Sequence, residues 1–240
     1  MHENHVAHRY VRPYIYLALD PTHDSDCTYE NIMLDPSGMF PDSFHPVDPW
    51  KGKDFRRKAK AYSRTRRPTR YLLIDFGHAR LYDPANGPPL DQPLSGGDKS
   101  APEHRDGKTP CNPFPTDVYY LGNLVREDYM QVRILFFPFS LFVFSKNKVL
   151  TSTNQKYYGL EFMQPLITDM VQEDPTKRPN MDEVVSRFAE LRSKLSTWKL
   201  RSRMARNIEF WPVAAWRTVA HWYHTTGYVL ARKAPIPEPQ

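Results

Sequence analysis

The sequence predicts an α+β fold, mainly α, with one small β-hairpin followed by helices. Two observations carry this. Two short apolar runs, at 29–34 and 71–74, each stop at a turn cluster, Asp35-Pro36-Ser37-Gly38 and Asp75-Phe76-Gly77, as paired strands do. From Asp117 onward the apolar residues recur at helical rather than alternating spacing. With 40% hydrophobic residues in 240, there is enough apolar material for a real core.

The elements follow in order. Residues 35–70 are polar, Pro-rich and then basic, with no apolar period, so they read as a long loop joining the two strands. Val118, Leu121, Leu124 and Val125 mark a helix expected to open at Asp117. Phe162, Leu166, Ile167, Met170 and Val171 mark a second, stopped at Asp174-Pro175. A third begins at Met181 behind Asn180 as its cap and continues its apolar face through Phe188, Leu191 and Leu195. The Pro-rich end, 234–240, is expected to fray.

Composition narrows the function classes. Cys27 and Cys111 form no CxxC pair, which excludes a disulfide framework and a cysteine zinc site and fits a reducing, intracellular compartment, cytoplasmic or nuclear. The opening residues lack the basic-then-apolar pattern of a signal peptide. The longest apolar run, 134–144, contains Pro138 and is shorter than the roughly 20 residues a spanning helix needs. The formal charge of +6 is concentrated at 51–70, where Asp54 is the one acid among many Lys and Arg, and in the tail.

Short motifs in a fixed order carry the chemistry. Asp26 stands five residues before Asn31. Asp75-Phe76-Gly77 follows the second strand, and Ala101-Pro102-Glu103 comes next. Asp117-Val118-Tyr119-Tyr120-Leu121-Gly122 and Asp174-Pro175-Thr176-Lys177-Arg178-Pro179 close the series. Singly, Asp26 reads as a turn residue, Asn31 as a cap and Asp75 as a hairpin turn. Taken together and in this order, the motifs resemble the protein kinase family, over the C-terminal lobe only.

The resemblance implies ATP-dependent phosphoryl transfer to a protein hydroxyl, with ATP and magnesium as cofactors. It implies that Asp26 accepts the hydroxyl proton and that Asn31 and Asp75 hold magnesium through oxygen ligands. Met33 is implied under the adenine ring and Ile74 at the back of its pocket, both buried. Glu103 and Arg178 match a buried ion pair that anchors the activation segment, and Asp117 matches a residue that braces the catalytic loop.

The sequence also departs from the family. The 240 residues carry neither a Gly-rich phosphate loop nor the strand lysine paired with a helix glutamate, so the fold is expected without its N-terminal lobe. Thr28 stands where many such enzymes keep a lysine. Asp24 and Ser25, not His and Arg, precede Asp26, yet His8-Arg9 lies upstream. Removing 10–25 restores an uninterrupted catalytic loop, and that segment reads as translated intron. Residues 132–155 read the same way; ordinary insertion loops are the alternative for both. The division is therefore a partial kinase-like domain at 1–195, with a basic loop at 35–70, and a basic, Trp-rich tail at 196–240. Phosphotransferase ancestry with no turnover by this chain is one reading, and a non-catalytic, pseudokinase-like protein-binding module is the other.

The basic loop offers nucleic acid, acidic peptide or an import receptor as partners, but only Phe55 and Tyr62 could stack on bases, so a solvated loop is the favoured reading. The tail, with Trp198, Trp211, Trp216 and Trp222, could lie on an anionic membrane. The favoured alternative packs its aromatics on the lobe or on a protein partner, with Pro212 breaking any long helix.

Overall fold

The computed structural model describes residues 1–7, 32–74, 76–93, 100–130, 157–206 and 209–237. Both segments read as translated intron lie outside these residues, as do Asp26, Asn31 and Asp75.

Four short strands form two antiparallel pairs. β1 (Val6–Ala7) pairs with β4 (Arg80–Leu81), and β2 (Ile32–Leu34) pairs with β3 (Tyr71–Leu73). The second pair is the expected hairpin with a long connection, in the register Ile32↔Leu73, Met33↔Leu72 and Leu34↔Tyr71. Residues 74–79, which include a 3₁₀ turn at Phe76–His78, link the two pairs. Both faces of the β2–β3 pair are open: Met33 and its partner Leu72 are 48% and 51% exposed on one, and Leu73 is 41% exposed on the other.

The helices are α1 (Pro113–Val125), α2 (Gln164–Met170), α3 (Met181–Ser193), α4 (Thr197–Leu200) and α5 (Trp211–Leu230). α1 opens four residues before Asp117, capped by Asn112, whose side chain accepts from the Phe114 N–H. The two prolines at its start gave no helical signal, but a first turn tolerates proline because its N–H groups lack partners in any case. A π-helical turn at Arg126–Met130 continues α1. Asn180 caps α3 as expected, accepting from the Glu183 N–H at 2.8 Å.

The main core is Val118, Met130, Leu166, Ile167, Met170 and Val184, where α1, α2 and α3 meet. Burying each such side chain contributes about 1.5–3 kcal/mol. Gly122 on α1 makes the α1–α2 contact close: a Cβ there would stand 2.7 Å from the Met170 Cβ. A second cluster, Ala101, Tyr119 and Tyr120, ties the Ala101-Pro102-Glu103 turn to the other side of α1.

The tail corrects two expectations. Pro212 does not break α5; it sits in its first turn, where the helix lacks nothing by its missing N–H. Nor do Trp211 and Trp216 pack on the lobe, one of the two surfaces expected for them. Trp211, Trp216 and Tyr223 are 73–77% exposed, and it is the polar Thr225 that α5 buries. His221 and Tyr228 face the same way, toward residues 61–66 and 200–202. The basic loop is thus not only solvated: it supports the tail, with the Ser63 and Tyr228 hydroxyls 2.6 Å apart. Among the described residues no helix is long and apolar enough to cross a membrane.

Candidate functional site

Among the described residues, a fully bonded polar constellation is built around Arg178. Its position follows from local chemistry: Asp174 caps a single 3₁₀ turn, Pro175–Lys177, and the chain then leaves extended, with Arg178 turned inward. Its side chain has no solvent exposure, and that of Glu103 has 9%. The guanidinium meets the carboxylate through two parallel bonds, Nη1 to Oε1 at 2.7 Å and Nη2 to Oε2 at 2.8 Å. The remaining N–H groups donate to backbone carbonyls: Nε to Gln172 at 2.8 Å, Nη1 to Pro115 at 3.1 Å and Nη2 to Glu173 at 3.4 Å. All five donors of the guanidinium are used. Its face lies over the Tyr119 ring, 4.8 Å from the centroid.

Glu103 takes a further bond from the Thr116 hydroxyl at 2.7 Å. Burial pushes its carboxyl pKa up, but the bonds from Arg178 and Thr116 outweigh that and hold it below the usual glutamate value. A buried pair this fully bonded meets the condition under which desolvation is offset. Its structural effect is to fasten the 3₁₀ turn Pro102–His104 to the segment before α3.

Asp117 is 3% exposed on α1. It accepts from His2 Nε2 at 3.2 Å, and the His2 ring stacks edge-on against Phe114 at 4.8 Å. The N-terminal segment is thereby held on α1 beside β1. Tyr82, just after β4, donates its N–H to the His5 carbonyl at 2.9 Å and also meets Phe114, at 5.8 Å. Arg80 and Tyr82 both donate to the Asp91 carboxylate, Arg80 at 3.1 Å.

The strand pairings place described residues that flank the motifs. Ile32, the residue after Asn31, pairs with Leu73, two residues before Asp75. Ala7, the residue before His8, pairs with Arg80, three residues after Gly77. Ile74, expected to be buried, is only partly so. Met33 is not buried: it is 48% exposed, because among the described residues no second layer covers its face of the β2–β3 pair. No cluster of three His, Cys, Asp or Glu suited to a metal occurs among the described residues.

Sequence reading found Glu103 and Arg178 but missed their supporting partners. Thr116 and Tyr119 gave no signal, since neither stands at a distinctive spacing and their roles depend on how α1 rotates. The relay beside them was also missed: the Tyr120 hydroxyl stands 2.8 Å from His104 Nδ1, and Cys111 Sγ stands 3.3 Å from His104 Nε2. No family model, curated protein or solved structure matches the chain.

Proposed function

We propose that this chain is the C-terminal lobe of a protein-kinase-like fold, descended from an enzyme of ATP-dependent phosphoryl transfer to protein hydroxyls, and that by itself it does not turn over. The observation that carries the reading is the bidentate, buried Glu103–Arg178 pair. Its two members stand 75 positions apart, and the motif order names both as an ion pair. Two further features support the reading. Asp117 is buried on the helix packed behind the β-layer. The register of β2 and β3 holds the neighbours of Asn31 and Asp75 on adjacent strands.

In this reading Asp26 is the base for the substrate hydroxyl, while Asn31 and Asp75 hold magnesium. Their oxygen donors suit that hard cation, which bridges the phosphates of ATP when bound. Met33 and Ile74 line the adenine side. In this reading the nucleotide lies on the open face that bears Met33 and Leu72. These 240 residues carry neither the strand-lysine motif nor the Gly-rich lid motif of the family. One such charge partner is worth about 10³-fold or more in rate. Water left on an open face further loosens in-line geometry.

The test is transfer of labelled phosphate from magnesium-ATP to generic protein substrates and to the chain itself. The expected result is transfer equal to that of an Asp26→Ala control. Transfer clearly above that control shows a working enzyme and overturns the inactive reading. Genomic sequence upstream of Met1 that encodes a Gly-rich loop and a lysine-bearing strand would support the ancestry directly. Transcripts spliced across 10–25 would support the intron reading, and transcripts that retain it as coding sequence would count against it.

A further inference from the structure

The cleft between the basic loop and the tail has no part in the phosphotransfer reading. It has a volume of about 540 Å³, within the range of small-molecule sites. The loop contributes Ser63 and Arg66, the turn after α4 contributes Arg201, and α5 contributes His221, His224 and Tyr228. No carboxylate is among the residues that line it.

The cations facing the cleft are not spent on acids. Among the described residues, neither Arg66 nor Arg201 has a carboxylate partner. Arg66 instead lies over the Tyr62 ring, 4.6 Å from the centroid, which fixes the plane of its fork. Arg201 donates one Nη2–H to the Lys233 carbonyl, and its own carbonyl accepts from His221 Nε2 at 2.7 Å. Its Nε–H is buried and without an acceptor among the described residues. The Ser63–Tyr228 contact holds the loop and α5 together, so the cleft is preformed.

Two guanidinium forks and the His224 imidazole, lining one space without an acid, are a donor set for a tetrahedral oxyanion. We propose that this cleft binds a phosphate-bearing small molecule, with Arg66 and Arg201 as its charge partners. The surrounding Lys and Arg of the loop raise the local concentration of such an anion. The proposal does not depend on the metal-phosphate roles assigned to Asn31 and Asp75.

The test is calorimetric titration of the full chain with pyrophosphate, in EDTA, so that a magnesium-dependent site does not contribute. Saturable one-site binding is expected. Arg66→Glu and His224→Glu, both at exposed positions, are each expected to weaken it by about tenfold or more while far-ultraviolet circular dichroism stays unchanged. Three results overturn the proposal. They are no saturable binding at millimolar pyrophosphate, equal binding by the Arg66→Glu chain, and citrate binding as tightly as pyrophosphate. None of them bears on the kinase-like reading, whose site requires magnesium.

Discussion

Gly122 and Met170 set the spacing of the two central helices: a Cβ added at Gly122 would lie 2.7 Å from the Met170 Cβ and 3.0 Å from Val171 Cγ1. Both obstacles stand close to the backbone, and Met170 is 2% exposed within the core, so neither swings aside. Gly122→Ala is therefore expected to destabilise the chain by about 1–3 kcal/mol, as overpacking does. Gly227 on α5 is the control. A Cβ there meets nothing within 4 Å. Gly227→Ala should stabilise by about 0.5–1 kcal/mol, through helix propensity alone. Urea denaturation of the two variants checks both signs.

Arg178→Met leaves the Glu103 carboxylate and the carbonyls of Pro115, Gln172 and Glu173 without their donor. Breaking a buried pair from one side costs about 3–5 kcal/mol. Glu103→Gln keeps one acceptor for the guanidinium and should cost less. The order of the two variants in a denaturant titration is the readout, and equal costs would mean that the carbonyl contacts contribute nothing.

The same pair predicts an acid response. Glu103 has a folded pKa below its ordinary value of 4.5 because the bonds from Arg178 and Thr116 outweigh burial. Its contribution is fully present above that ordinary value and is lost as pH falls through the depressed folded value. Stability measured against pH should fall in that acidic window. In Glu103→Gln the part of the slope due to this group should vanish, which separates it from the other carboxylates.

Asn180→Ala removes the acceptor for the Glu183 N–H at the start of α3. A lost cap of this kind costs about 1 kcal/mol. Asn180→Asp should retain most of it, and thermal denaturation of the two variants distinguishes a capping role from simple packing.

What could be read from the sequence was what depends on local pattern or on long-range motif order. The β2–β3 pairing, the Asn180 cap, the Asp174-Pro175 stop and the Glu103–Arg178 pair all belong here. The start of α1 was misplaced because Pro113 and Pro115 erase the apolar period just where the helix begins. The inward face of the tail was not legible, for a different reason. Its aromatics suggested burial, yet the loop it meets is basic and hydroxyl-rich, so α5 turns Thr225, His221 and Tyr228 inward and leaves Trp211 and Trp216 in water. No local pattern reveals the partner of a face, and so the cleft could not be foreseen from either segment alone. The expected catalytic and metal residues Asp26, Asn31 and Asp75 lie outside the described residues, and the structure bears on them only through the strands beside them.

The contact between Ser63 and Tyr228 spans 165 positions of chain. Closing so long a loop is entropically expensive and yields little until both ends are already shaped. The α1–α2–α3 core joins segments much nearer in sequence and has no such requirement. The tail should therefore dock last during folding, after the helical core has formed. In a refolding time course, core protection from hydrogen exchange should precede protection of α5. On that timetable the cleft exists only in the finished molecule, and a ligand held there would slow the first step of unfolding rather than speed any step of folding.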